Sequence, residues 1–207
     1  MIFRSVRPFA GRFRMKARKI AIGFRVHSGW AMMVAVTGSP LRPVIVGRQR
    51  LQIADTAQPY HAARELGLAR GEAFLNECRE ASHALASAAL ESAVKGMGGD
   101  RVAGCAVITG SGRLAPTLEA TLNSHAAIHT AEGEFFREIV IHAAEACGLS
   151  VRRIREKELF DTAAREFRIP VADLIRGLND LSKITGPPWQ QDHKFAALAG
   201  WLAYSSM

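Results

Sequence analysis

The chain has 207 residues, of which 48% are hydrophobic, so it is long enough for one well-buried core and short for two independent ones. Its formal net charge of +8 is unevenly distributed, because residues 1–19 contain seven of the 27 Lys and Arg residues and no acid, which leaves 20 cations against 19 acids in the rest. The composition therefore predicts a nearly neutral body with a basic tail, and by itself it does not indicate a basic, nucleic-acid-binding body.

The predicted elements begin with three strands. Residues 19–26 and 30–37 are rich in Ile, Val and aromatic side chains, with a short turn at 27–29 between them. Residues 43–53 supply a third strand after the Gly-Ser-Pro break at 38–40. Connections this short predict an antiparallel meander.

Helices and two further strands follow the meander. The apolar spacing in residues 72–97 predicts a long helix, and the short apolar run 102–109 predicts a buried central strand. The remaining predicted elements are a helix at 116–122, a helix at 131–147, a strand at 150–154 and helices at 157–167, 171–183 and 190–204. The order βββαβαβα with a closing helix predicts an α/β fold whose mixed five-stranded sheet is flanked by helices on both faces.

We expect residues 19–207 to form a single domain and residues 1–18 to form a basic, disordered N-terminal extension. Three interpretations of this tail remain open: a flexible arm that neutralises phosphates, a targeting segment, or an upstream extension translated from an early start, with Met15 as the later one. The extension is favoured because the tail lacks a continuous apolar core and a small-residue cleavage pattern.

The cysteines and the hydropathy indicate the compartment. Cys78, Cys105 and Cys147 are odd in number, widely spaced and never in a CxxC pair, so neither a disulfide framework nor a zinc knuckle is predicted. A reducing cytoplasm fits this pattern best. No run of about 18 apolar residues occurs, so no membrane span is predicted.

Two segments carry a resemblance to a known family. Residues 22–25 read Ile-Gly-Phe-Arg and residues 28–31 read Ser-Gly-Trp-Ala. This pair is similar to the first-strand pattern of the ribonuclease H-like superfamily and, within it, of the RuvC-type Holliday-junction resolvases, where Ile-Gly-Ile-Asp-Pro-Gly precedes Thr-Gly-Trp-Ala. Residues 192–199 read Asp-His-Lys-Phe-Ala-Ala-Leu-Ala and resemble the family's closing helix. With the element order, the resemblance covers residues 19 to 204 and implies a ribonuclease H-like fold.

The chain lacks most of the acidic residues that the nuclease chemistry implied by the resemblance would need. Two-metal phosphodiester hydrolysis needs several carboxylates around ions about 4 Å apart, and the family takes them from the first strand, the fourth strand and the last helix. Arg25 stands at the first-strand position, and no Asp or Glu occurs between Asp100 and Glu119, which spans the predicted fourth strand. Only Asp192 remains, on the flank of the closing helix's apolar face. We therefore expect no resident metal or cofactor, with Mg²⁺ or Mn²⁺ required only if a divergent nuclease site has formed elsewhere.

Arg25 and Asp192 each keep two interpretations. Asp192 is either a first-turn acid that favours the helix dipole or a functional carboxylate. Arg25 either pairs with Asp192 across the sheet or contributes to an anion site. In the second case residues 109–113, Thr-Gly-Ser-Gly-Arg, would present backbone N–H groups and the Arg113 side chain to a phosphate. This segment matches neither a P-loop nor the dinucleotide fingerprint, and it is otherwise an ordinary flexible connection.

The leading hypothesis is a ribonuclease H-like protein that lacks the two-metal nuclease site and binds nucleic-acid phosphate or a nucleotide at the strand ends. The residues expected to bind the anion are Arg25, His27, Ser28, Ser111, Gly112, Arg113 and Lys194. A first alternative is a divergent metal-dependent nuclease that uses Glu132, Glu134 and Asp192 as catalytic residues, with help from a histidine at 125 or 129. A second alternative is a non-catalytic scaffold or homodimer, which an exposed apolar patch on the long helix at 72–97 would favour.

Residues 124–134 form a second dense cluster of polar side chains. If they are helical throughout, His125, His129 and Glu132 stand at i, i+4 and i+7, a spacing that offers two imidazoles and a carboxylate to one metal. The favoured interpretation is instead that Thr130 is the N-cap of a helix beginning at 131, with Glu132 and Glu134 as first-turn acids. A third interpretation is that these side chains form hydrogen bonds to a substrate. Three further histidines have no partner at ligand spacing and are expected to be solvated: His61, His83 and His142.

Overall fold

The protein is described by a computed structural model that covers residues 17–39 and 42–206. Most of the predicted N-terminal extension, including Met15, lies outside the described residues. Arg18 belongs to the fold, because its backbone N donates to Asp100 Oδ1 over 3.0 Å and its Nη2 donates to Oδ2 over 2.6 Å. These hydrogen bonds hold the pKa of Asp100 below its ordinary value. The chain is therefore anchored from the residue directly before the first strand.

A five-stranded sheet in the order β3-β2-β1-β4-β5 forms the centre of the domain. The pairs β1–β2 and β2–β3 are antiparallel, and the pairs β1–β4 and β4–β5 are parallel. The strands are β1 Lys19–His27, β2 Trp30–Ser39, β3 Arg42–Gln52, β4 Arg101–Thr109 and β5 Val151–Arg155. The predicted mixed sheet, with an antiparallel meander beside two parallel strands, is confirmed.

Helices cover both faces of this sheet. They are α1 Pro59–Leu66, α2 Leu68–Lys95, α3 Leu118–Leu122, α4 His125–Ala146, α5 Leu159–Phe167, α6 Val171–Asp180, α7 Ser182–Thr185 and α8 Gln191–Ser205, with a 3-10 turn at Glu156–Glu158. Within the described ranges, every helix is too short or too polar to cross a bilayer. Helices α2 and α4 share one buried core with the sheet, and α5, α6 and α8 share the other.

Strand β1 lies between these two cores because its side chains alternate between the faces of the sheet. Ile20, Ile22 and Phe24 belong to the core on the α2–α4 face, whereas Ala21 belongs to the core on the α8 face. Positions 23, 25 and 27 continue the Ala21 side of the strand. Alternation alone therefore directs Arg25 toward α8.

Gly23 allows α8 to approach the sheet closely. A Cβ atom added at Gly23 would lie 1.8 Å from the Ala196 carbonyl oxygen and 2.5 Å from the Gly200 nitrogen. These two atoms belong to the backbone of α8, so they have little freedom to move away from a side chain at position 23. The glycine of the Ile-Gly-Phe-Arg motif thus brings the start of α8 within reach of the end of β1.

The start of α4 corrects one prediction. The helix expected at 131–147 begins at His125, and Ser124 is its N-cap, with Oγ accepting from the Ala127 backbone N over 3.3 Å. Thr130 lies inside the helix and donates its hydroxyl to the Ala126 carbonyl over 3.0 Å. The N-cap assignment for Thr130 is therefore wrong, because α3 ends at Leu122 and α4 begins after only two intervening residues.

In two other places the structure has one helix more than the sequence predicts. Helix α1 was not expected, although Pro59 occupies its first position, where proline is well suited. The single helix expected at 171–183 is two helices, α6 and α7, that meet at Leu181. In both places the deviation follows packing, since Ala63 of α1 and Leu181 are both buried.

Candidate functional site

Four ionisable side chains meet where β1 ends and α8 begins. The Arg25 Nη2 donates to Glu156 Oε1 over 3.0 Å, and its Nε lies 3.4 Å from Asp192 Oδ1. The same Asp192 oxygen lies 3.0 Å from His27 Nε2. We call Arg25, His27, Glu156 and Asp192 the ion cluster. One cationic guanidinium in it faces two carboxylates, so its charge is already balanced within the fold.

The Arg25 guanidinium is packed rather than open to solvent. Its side chain is 14% exposed, and the Phe195 ring lies 4.5 Å from its central carbon. Its Nη1 atom is buried and has no hydrogen-bond partner among the described residues. The ion pair between Arg25 and Asp192 that the sequence suggested is thus present, and it joins β1 to α8.

Three more of the predicted anion-binding residues lie on β1, on the β1–β2 turn and on α8: His27, Ser28 and Lys194. The His27 ring stacks on Trp30 with centroids 4.2 Å apart, which fixes the imidazole beside Asp192. Ser28 is exposed in the β1–β2 turn, and Lys194 is partly exposed on the first turn of α8. Neither side chain has a hydrogen-bond or ion-pair partner among the described residues.

The three predicted catalytic acids occupy separate places. Glu132 is buried and its Oε1 lies 3.0 Å from His61 Nδ1. Glu134 pairs with Arg137 over 3.2 Å, and Asp192 belongs to the ion cluster. Among the described residues these acids form no shared group of metal-ligand size. They therefore do not supply the converging carboxylates that two-metal hydrolysis requires.

A polar groove opens beside the ion cluster, at the carboxyl ends of β4 and β5. Its volume is about 920 Å³. The lining residues are Thr109, Gly110, Ser111, Gly112, Arg113, Leu114, Glu134, Arg153, Ile154, Arg155, Glu158 and Thr162. Three of the predicted anion-binding residues, Ser111, Gly112 and Arg113, therefore lie together, whereas Arg25, His27 and Lys194 are not in its lining.

The glycines of the loop after β4 allow it to lie against α4. A Cβ at Gly110 would be 2.8 Å from Arg137 Nη1, and one at Gly112 would be 2.6 Å from Thr130 Cγ2. This contact fixes the path of residues 110–113 along the groove. Ser111, Gly112 and Arg113 are exposed and donate no hydrogen bond to any other described residue. Their N–H groups and the Arg113 guanidinium are thus free to bind a ligand.

Sequence reasoning missed one residue that meets the predicted polar cluster of α4. His61, expected to be solvated, contacts Glu132 through both its ring Nδ1, over 3.0 Å, and its backbone N, over 3.2 Å. The only sequence signal was the turn at Pro59, which starts the unpredicted helix α1. The 71-residue separation between His61 and Glu132 hides their contact from any local pattern.

The cysteines offer no activated nucleophile. Burial raises the pKa of the Cys105 thiol to about 12, and burial also raises the pKa values of Cys78 and Cys147. A thiolate is the reactive form, so thiols shifted in this direction are poor nucleophiles at neutral pH.

The strand order and the helix that closes against β1 agree with the arrangement that the sequence resemblance implied. No protein-family model matches the chain, and no curated protein matches its sequence. Among solved structures, the chain is similar to "T. thermophilus RuvC in complex with Holliday junction substrate", with 12% identity, a TM-score of 0.48 and coverage of 89% of this chain and 91% of that chain. It is also similar to "Thermus thermophilus RuvC structure", with 10% identity, a TM-score of 0.49 and coverage of 88% and 91%.

Proposed function

We propose that this ribonuclease H-like domain has lost two-metal nuclease chemistry and binds the phosphate of a nucleic acid or nucleotide in the groove beside β4 and β5. The observation that carries the proposal is Arg113, an exposed guanidinium at this groove that has no carboxylate partner among the described residues. The backbone N–H groups of Ser111 and Gly112, which precede Arg113 in the same loop, have no hydrogen-bond acceptor among the described residues. Such a combination of fixed dipoles and charge favours an oxyanion.

The first part of the proposal rests on the ion cluster. A guanidinium between Glu156 and Asp192 occupies the space in which a cation would otherwise sit, and it repels any further cation. Strand β4 carries no acid that could replace the missing ligand. The remaining negative charge is too small to hold two divalent ions close together.

The second part rests on the charges around the groove. Arg153 is paired with Glu138, and Arg155 lies 3.3 Å from Glu158. These pairs leave Arg113 as the cation whose charge a bound phosphate would balance. Phosphate binding by a guanidinium is directional, because its N–H donors match two oxygens at once. The proposal therefore places the anion at Arg113, with Ser111 and Gly112, and not at Arg25.

The alternatives receive less support from the geometry. The acids of the divergent nuclease do not converge. The scaffold hypothesis needs an apolar patch on α2, but Leu68 is the one large hydrophobic residue of that helix with strong exposure. The cytoplasmic location stays part of the proposal, because three free cysteines favour a reducing compartment.

The test is binding of fluorescent single-stranded and four-way-junction DNA to the full chain, measured by anisotropy across a range of salt concentrations. Arg113→Ala should weaken binding about threefold to tenfold and lower the slope of log K against log salt by about one. The matched control is Arg176→Ala, since Arg176 is an exposed arginine on α6 that pairs with Asp173. The control should leave both quantities unchanged, and equal effects of the two variants would overturn the groove as the binding site.

A nuclease assay tests the loss of chemistry. The full chain should not cut either DNA with Mg²⁺ or Mn²⁺. Cleavage that Asp192→Asn or Glu134→Gln abolishes would contradict the proposal and establish the divergent nuclease instead. Cleavage that persists in both variants and co-purifies with the chain would also contradict the proposal, because it would establish a nuclease site elsewhere.

A further inference from the structure

We propose that His61, His125 and His129 bind one transition-metal ion, with Zn²⁺ as the best fit, between α1 and α4. The sequence suggested His125, His129 and Glu132 as metal ligands in one of three interpretations of this segment. The tertiary structure replaces the carboxylate with a third imidazole from another helix. This site is separate from the groove and from the ion cluster, and it is independent of the proposed function.

The ring nitrogens have the spacing of a metal site. One ligand nitrogen from each of the three histidines lies within 4.8 Å of the other two. The Nε2 atoms of His125 and His129 are 3.0 Å apart, so that one ring N–H donates to the other nitrogen. Nitrogens in a tetrahedral zinc site, with Zn–N bonds of about 2.0 to 2.1 Å, are separated by about 3.3 Å. The present spacing of the His125 and His129 nitrogens is therefore close to the one that coordination requires.

Glu132 orients the third ligand. Its Oε1 lies 3.0 Å from His61 Nδ1, and its side chain is only 6% exposed. A carboxylate that accepts from Nδ1–H leaves the lone pair of the imidazole on Nε2, which is then the nitrogen available to a metal. The same oxygen accepts from the His61 backbone N over 3.2 Å, which holds the first turn of α1 in place. The buried acid thus acts as a positioning residue and not as a ligand.

The donor set selects the metal. Three imidazoles suit Zn²⁺, Ni²⁺, Cu²⁺ and Co²⁺, whereas Mg²⁺ and Ca²⁺ prefer oxygen ligands. His125 and His129 are exposed on α4, and His61 is partly exposed, so an ion can enter from solvent. Three protein ligands leave one position of a tetrahedral ion for water.

Binding should also stabilise the contact between two helices. His61 lies in the first turn of α1, and the other two ligands lie in the first turns of α4. An ion that binds only the folded chain shifts the unfolding equilibrium toward it. At free Zn²⁺ about 100-fold above its Kd, the melting temperature should rise by about 5 °C or more.

The experiment uses the full chain without a polyhistidine tag. Titration with Zn²⁺ against a chromophoric chelator should give one ion per chain, Co²⁺ should produce the strong visible absorption of a four-coordinate site, and Mg²⁺ should not compete. The double variant His125→Ala/His129→Ala should weaken Zn²⁺ binding more than about 100-fold, and Glu132→Gln should weaken it about 10- to 100-fold.

The control variant is His83→Asn/His142→Asn. These two rings stack with centroids 3.8 Å apart but lie outside the three-histidine group. This variant should bind Zn²⁺ within about threefold of the native chain. Because His125 and His129 are exposed, their double variant should melt within a few degrees of the metal-free native chain, which separates lost binding from lost folding. No saturable Zn²⁺ binding, or binding that the His125/His129 variant retains, would overturn the site.

Discussion

Arg25 Nε and Asp192 Oδ1 lie 3.4 Å apart, which ties the end of the first strand to the start of the last helix by charge. Glu156 contacts the same guanidinium from the turn after β5. Three elements distant in sequence therefore meet at one arginine. The positive charge of Arg25 joins these elements through its two carboxylate partners.

Replacing this arginine tests its structural role. Arg25→Gln should lower the free energy of unfolding by about 2 kcal/mol, because Asp192 and Glu156 lose their shared cation in a partly buried place. Arg25→Asp should lower it further, through repulsion among three carboxylates. Urea denaturation of the three chains at neutral pH measures both effects.

The effect of Mn²⁺ on the melting temperature distinguishes repulsion among carboxylates in Arg25→Asp from the loss of packing that both variants share. Millimolar Mn²⁺ should raise the melting temperature of Arg25→Asp by a few degrees, since clustered carboxylates bind hard cations, and should not affect Arg25→Gln. A native chain that Mn²⁺ stabilises as strongly as Arg25→Asp would show that the guanidinium does not exclude a cation.

Gly23 is expected to be the least tolerant glycine of the sheet. Gly23→Ala should destabilise the fold by about 4 kcal/mol or more, because its Cβ would lie 1.8 Å from the Ala196 carbonyl oxygen. Gly47→Ala on β3 is the matched control, since nothing lies within 4 Å of its added Cβ, and it should change stability by less than about 1 kcal/mol. Far-UV circular dichroism with urea denaturation compares the two, and a folded Gly23→Ala of native stability would contradict the close approach of α8.

The contact between Arg152 and Glu166 should make a pH-dependent contribution to the free energy of unfolding. Hydrogen bonds from Arg152 hold the pKa of Glu166 below its ordinary value of 4.5. A carboxyl whose pKa is lowered by folding stabilises the fold above the unfolded-state pKa and loses this contribution as the pH falls through the folded-state pKa. Glu166→Gln should therefore cost about 1 kcal/mol at pH 7, and the difference from the native chain should shrink as the pH falls below about 4.5.

The control for this experiment is Glu91→Gln. Glu91 pairs with Lys95 over 3.3 Å, but both side chains are more than half exposed, at 56% and 78%. Such a pair contributes little, so the Glu91→Gln variant should follow the native stability curve at every pH. A constant difference between native and Glu166→Gln chains from pH 7 to pH 3 would show that the Arg152 contact is not the cause.

The strands could be predicted because their signal is local. Apolar and β-branched residues fill β1, β2 and β4, and glycines or short turns mark where the strands end. The start of α4 could not be predicted equally well, since Ser124 and Thr130 are both good capping residues. The turn from α3 decided between them, and this turn depends on how two helices pack.

The candidate sites also differ in whether a local sequence pattern or the packing of distant helices brings their residues together. Arg113 and its neighbouring glycines could be proposed from the sequence because they follow a strand directly. His61 was missed, because its partners Glu132 and His129 lie about 70 residues away in the chain and come close only when α1 packs on α4.

The sequence by itself determined the order of the five strands, the arginine at the end of β1, and the absence of acids from β4. These properties depend on residue type and local spacing, which can be read directly from the sequence. Only the tertiary structure decided that Arg25 is held by Asp192 and Glu156, that Arg113 is left unpaired in a groove, and that three histidines meet. Such contacts join residues far apart in sequence, and the packing of helices on the sheet, rather than any local preference, sets their distances.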